Sequence, residues 1–319
     1  AFGVAVASIS TSTLAVSESN RPYNELNAKE RALMSENDNR SYKRGGQNGR
    51  GGKPYGGKSK RGRDDKRRGG RGDRFEKKVR HDRSNPSRQG FREDRMAQKI
   101  SEPDLPDGID INELDRSVLQ DLRVLSKDNA NRVAQHMVMA IEILEDDPKL
   151  ALRHARAAKN RAGRVGVVRE TNGIVAYHAG EWKEALSELR AARRMSGGPG
   201  LLAVMADAER GLGRPEKALE LGRTPEARQL EPEDRVELAI VLAGARHDLG
   251  QHDSALATLS RLDPTLHPET FSELRLAYAY ADALLSVQRE NEAKEWFAAV
   301  AKADEDGITD ADERVREMS

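Results

Sequence analysis

From Asn112 onward Leu, Val and Ala recur at three- and four-residue intervals, the period of helices with one apolar face. The pattern comes in short runs, and the breaks between them carry turn signals: Asp146-Asp147-Pro148, Gly180-Glu181-Trp182, Gly213-Arg214-Pro215, Gly250-Gln251-His252 and Gln288-Arg289-Glu290. Glycine at a helix end suits a left-handed backbone, and proline suits the first turn of a new helix, where its missing N–H is not needed. An alanine follows each break, at Ala151, Ala185, Ala218, Ala255 and Ala293, with spacings of 34, 33, 37 and 38 residues. Such a period is the mark of stacked repeats. Twelve residues before each alanine stands Met139, Gly173, Ala206, Ala243 or Ala281, small in four cases of five, as two closely crossing helices require. The second helix of unit three ends near Gly222, and unit five lacks the turn glycine. Before unit one, Leu114 to Leu125 reads as an extra packing helix. After unit five, Thr309 to Met318 reads as a polar closing helix with Thr309 or Asp310 as its N-cap.

Small residues at two matched positions plus a turn glycine resemble the tetratricopeptide repeat, a helical hairpin of about 34 residues. The resemblance covers residues 130–303 in five units, and unit two, residues 166–198, fits most fully, with Gly173, Gly180, Trp182, Ala185 and Ala192 in place. It implies an all-α, TPR-like α-solenoid of about five hairpins plus flanking helices. In that family the first helices line a concave groove, which implies a protein-binding set here of His136, Glu170, Tyr177, His178, Asp207, Arg210, Glu237, His247, Asp248, Arg275, Tyr278 and Asp282. Five carboxylates stand against two arginines, so the implied partner is a basic peptide or basic protein surface. The Lys and Asn combination with which related domains clamp a C-terminal carboxylate is missing. The plainer alternative is that these charges are the solvated faces of helices.

The N-terminal third changes the picture. Residues 41–100 hold 21 Lys and Arg against 7 Asp and Glu, whereas residues 101–319 hold 29 against 41, so the near-neutral total conceals a basic segment joined to an acidic one. Between residues 35 and 100 only eight residues are apolar or aromatic, too few to offset a backbone ordering cost of about 1–2 kcal/mol per residue, and disorder is expected there. Arg44, Arg50 and Arg68 each begin an Arg-Gly-Gly triplet, Arg61 and Arg71 precede further glycines, and Tyr42, Tyr55 and Phe75 are interspersed. Arginine forks suit phosphates and aromatic faces suit bases, so the segment resembles RGG-type arms and is expected to contact RNA by counterion release. It could instead solubilise the chain or lie across the acidic region.

The expected organisation is a leader at residues 1–34, non-native or disordered, then a disordered basic Arg/Gly-rich segment and linker at 35–110, and a helical repeat domain at 111–319. Met34 reads as a candidate start, with residues 1–33 upstream of it. Pro103, Pro106 and Gly108 mark the boundary. Gly52 to Ser59 formally matches a phosphate loop, yet no buried strand precedes it and no helix follows, which that chemistry needs. Arg71-Gly72-Asp73 is an accident of composition.

With no cysteine there is no disulfide and no thiol nucleophile. No apolar run is long enough to cross a membrane. The histidines show no metal-ligand spacing, and no acid–base or dinucleotide motif follows a strand. The expectation is a cytoplasmic, non-enzymatic scaffold without cofactor or membrane partner, binding a protein through its groove and RNA through its arm in a ribonucleoprotein setting such as the ribosome's surroundings. The competing expectation is a protein-only adaptor whose basic arm autoinhibits its acidic groove.

Overall fold

The computed structural model describes residues 102–318, and the expectations for the leader and the basic arm lie outside them. Among the described residues the chain is all-helical, with twelve α-helices and no strand. These are α1 (Arg116–Asp121), α2 (Lys127–Glu142), α3 (Pro148–Ala162), α4 (Gly166–His178), α5 (Trp182–Ser196), α6 (Leu202–Gly211), α7 (Pro215–Leu221), α8 (Pro232–Asp248), α9 (His252–Ser260), α10 (Phe271–Ser286), α11 (Glu290–Ala303) and α12 (Ala311–Glu317).

Helices α2 to α11 form five consecutive hairpins, and each hairpin packs on the next. The second helix of one meets the first helix of its successor, and the first helices α2, α4, α6, α8 and α10 also touch in order. The five recurring alanines are why the hairpins close: each is at most 1 % exposed. Gly173 plays the matching part on α4, where an added Cβ would lie 2.6 Å from Leu189 Cγ. Ala206, Ala243 and Ala281 occupy the same position on α6, α8 and α10, all fully buried.

A few helix starts are fixed by side-chain caps. Asp147 accepts from the backbone N–H of Lys149 at 3.1 Å and Leu150 at 3.0 Å, with Pro148 opening α3. Thr270 and Glu273 form a reciprocal capping box at α10. Four hairpin turns share one geometry, with a single left-handed residue between the helices: Gly180 (φ 74°), Gly213 (φ 69°), Gly250 (φ 70°) and Gln288 (φ 63°). In each, the next N–H reaches back to a carbonyl five residues earlier, as Glu181 to Ala176 at 2.8 Å and Arg289 to Leu284 at 3.0 Å. Unit five thus makes the glycine turn without glycine.

Unit one departs from the expected register. Three residues, Leu144 to Asp146, separate its C-cap Ile143 from its N-cap Asp147, two more than elsewhere. Gly173, Ala206, Ala243 and Ala281 stand six residues before their C-caps, and the residue so placed on α2 is Met137, 1 % exposed, not Met139. The flanks also differ from expectation. Residues 111–124 form two 3-10 turns around the short α1, capped by Asp115, instead of one helix, because Asp115 accepts the Ser117 N–H at 2.7 Å and restarts the chain. The closing helix α12 begins at Ala311, with Asp310, one of the two expected residues, at the N-cap position and the other, Thr309, accepting from the Ala311 N–H at 3.4 Å. Helix α7 ends at Leu221 before Gly222, near where the pattern ends it.

Candidate functional site

Eight of the expected groove residues pair across the hairpins in separate groups. Tyr177 on α4 donates its hydroxyl to Asp207 on α6 at 2.6 Å. Asp207 also accepts from Arg210 Nη1 at 2.8 Å, and Arg210 forks onto Asp248 of α8 through Nε at 2.7 Å and Nη2 at 3.2 Å. Gly244 makes room for this guanidinium, since a Cβ there would lie 2.7 Å from Arg210 Cζ. Glu237 on α8 meets Arg275 of α10 at 2.8 Å. Asp282 meets Arg314 of α12 at 2.8 Å, and Tyr278 donates to Asp310.

The electrostatics follow from this pairing. Burial and the neighbouring Asp207 carboxylate raise the Tyr177 phenol well above its ordinary value, so it stays a protonated donor. Burial pushes the Glu237 carboxyl up and the Arg275 guanidinium down, each opposed by the other's charge. Four of the five carboxylates are therefore held by arginines of the same molecule. Glu170 is the exception. It has no ion pair among the described residues, and burial alone pushes its carboxyl upward.

The histidines divide. His178 is half-buried and lowered by burial, with Glu145 pulling the other way. His247 approaches His252 of α9 with ring nitrogens 3.1 Å apart and is lowered by burial and by that neighbour, against the pull of Asp282 and Asp248. His136 is not on the face. The longer turn of unit one rotates it inward, to 0 % exposure, where its Nδ1 lies 3.1 Å from His154 Nδ1. Its Nε2 lies 3.8 Å from Glu102, whose carboxylate is held by Arg161 at 2.5 Å. Both rings are neutral, at about 3 for His136 and about 4 for His154, chiefly through burial. One proton is then shared along the Nδ1 contact. With His154 as donor, the His136 Nε2 proton is left for Glu102.

Several participants are not legible in the sequence. Arg314 comes from the closing helix and Arg161 pairs across 59 residues, separations that no local pattern reveals. Trp182 stacks edge-on against Tyr177 at 5.2 Å in space left by Gly211, whose Cβ would lie 2.8 Å from the indole. A further network joins the first two hairpins, where Glu184 accepts from Arg156, Lys159 and the buried Asn172. These three donors hold its carboxyl at about 2 against the opposing effect of burial.

The expected RNA-contacting residues Arg44, Arg50, Arg61, Arg68, Arg71, Tyr42, Tyr55 and Phe75 lie outside the described residues. Among the described residues no group of three or more His, Asp or Glu is placed to hold a metal ion, and no helix is long and apolar enough to cross a membrane. No protein-family model, no curated protein and no solved structure matches the chain.

Proposed function

We propose that the helical region is a tetratricopeptide-like solenoid that binds a basic protein segment along the face of its first helices. The Arg/Gly-rich segment contacts RNA, and together they make a non-enzymatic scaffold for a ribonucleoprotein assembly. The observation that carries the reading is the succession of charged and polar pairs on the first helices from α4 to α10, which pack in order. Stacked repeats present such faces to partners. Counting Arg314 with the two expected arginines, the face keeps more carboxylates than cations. Glu170 has no cation of its own, and the Asp248 side chain is 35 % exposed. An incoming Lys or Arg would supply the missing charge. The RNA half rests on the composition of residues 35–100, dense in arginine, glycine and interspersed aromatics.

The test separates binding charge from folding charge. Glu170→Lys is expected to weaken capture of a fluorescent Lys-rich peptide about tenfold, since one close opposite-charge contact becomes a repulsion, and the uncharged Glu170→Gln to weaken it by less with an unchanged melting temperature. Asp207→Lys removes the partner of both Tyr177 and Arg210 and is expected to lower the melting temperature as well. Unaltered peptide affinity in Glu170→Lys would sink the protein-binding reading. Deleting residues 35–100 is expected to abolish salt-dependent RNA binding, and RNA affinity that survives the deletion would count against the arm.

A further inference from the structure

Several arginines of the helical region are held by carboxylates, among them Arg156 by Glu184, Arg190 by Glu209 and Arg275 by Glu237. Three that are not stand together. Arg246 lies in the last turn of α8, Arg223 follows α7, and Arg261 is the C-cap of α9. None makes an ion pair with a carboxylate among the described residues.

Their meeting is a consequence of packing. The ends of α7 and α9 both lie on α8. Gly222 comes so close that an added Cβ would fall 2.3 Å from Leu242 Cδ1, one turn before Arg246. On the other flank Leu259 packs with Ile240 and Ala243 of α8, which sets Arg261 at the edge of the same helix. Arg246 is half-buried, and its hydrogen bond to the Leu242 carbonyl is long, at 3.5 Å. Arg223 and Arg261 are exposed. Burial and the charges of these two neighbours hold the Arg246 guanidinium below its ordinary value, and no carboxylate opposes them.

Each arginine singly suits a helix C-terminus. That does not account for three converging without an anion, in a region where acidic residues outnumber basic ones 41 to 29. Guanidinium forks match the paired oxygens of a phosphate, and one bound phosphate beside Arg246 offsets the charge of both neighbours. We propose that Arg223, Arg246 and Arg261 form a binding site for the phosphodiester backbone of single-stranded RNA. This second contact, on the helical region, rests on the RNA half of the function proposed above. RNA is favoured over a phosphorylated peptide because the same chain carries 21 Lys and Arg between residues 41 and 100. Two linked contacts on one strand also reinforce each other through effective concentration.

The experiment uses the full chain and a fluorescent oligouridylate, with affinity measured across a salt series. Arg223→Gln with Arg261→Gln, both at exposed positions, and the triple variant adding Arg246→Gln are compared with wild type. Removing one cation from the phosphate backbone flattens the logarithmic salt slope by about 0.7 for a single strand, so the triple variant should lose about 2 from the slope and at least about tenfold in affinity. The double variant, whose melting temperature should match wild type, should lose about two-thirds of that slope. Wild-type affinity and slope in both variants, with binding still dependent on residues 35–100, would overturn this site and leave the arm standing. Absence of RNA binding in the wild type would overturn both. Arginine-dependent binding of a phosphoserine peptide, with oligouridylate binding unaltered, would reassign the site to a protein.

Discussion

Gln288 holds with a side chain the left-handed turn that Gly180, Gly213 and Gly250 hold without one. A left-handed backbone costs a non-glycine residue about 1–2 kcal/mol, part of which returns through the smaller entropy of its unfolded state. Gln288→Gly is therefore expected to stabilise the protein by up to about 1 kcal/mol, seen as a higher denaturant midpoint at constant slope. Gly180→Ala should do the reverse by a similar amount. Its Cβ would meet nothing within 4 Å, so the penalty is backbone strain alone. The same scale explains why Glu170 and Asp207, equivalent as carboxylates in the sequence, differ in use. Asp207 is engaged by Tyr177 and Arg210, whereas Glu170 has its charge to spare.

Between elements, the decisive contacts are backbone-close. Gly173 lets α4 approach α5 until Leu189 fills the place of a side chain, with its backbone nitrogen 3.2 Å from the absent Cβ. Gly173→Ala must push the two helices apart or twist Leu189, at about 1–3 kcal/mol. Gly166→Ala, where the nearest atom would be Met195 Cβ at an ordinary 3.6 Å, should leave the thermal midpoint nearly unchanged. Equal effects of the two substitutions would refute close packing at Gly173. Unit one shows the opposite solution. Its longer turn moves the register by two residues, and Met137 occupies the position that is small elsewhere, taking His136 into the core with it.

Among the described residues the neutral pair His136 and His154 leads a response to acid, to which the lowered His178 and His247 add in the same direction. The pair's unfolded value is 6.5, and its folded values are about 3 and about 4. Between those limits the unfolded chain binds more protons than the folded one, so stability falls as pH falls, by at most about 1.4 kcal/mol per pH unit for each histidine. Glu184, held at about 2 in the folded chain against 4.5, adds a loss in the same direction below pH 4.5. Urea midpoints should accordingly drop between pH 6.5 and 4.5, where Glu184 is still ionised, and His154→Gln should flatten that drop. A midpoint independent of pH over this window in the wild type would rule the pair out as its cause.

The pattern of apolar positions by itself determined that the region is all-helical, where most hairpin turns fall and which alanines are buried, because helical period, caps and turn residues are local properties of the chain. The end of α7 near Gly222 and a cap for α12 at Thr309 or Asp310 were legible for the same reason. Pairing was not. Arg314 on Asp282, Arg161 on Glu102 and the convergence of Arg223, Arg246 and Arg261 depend on segments distant in sequence, and in unit one a two-residue difference in the turn is enough to redirect His136. Charges that look alike along the chain become either internal ties or free surface only once the helices are stacked, since ion pairing and burial are set by distances that the tertiary structure alone decides.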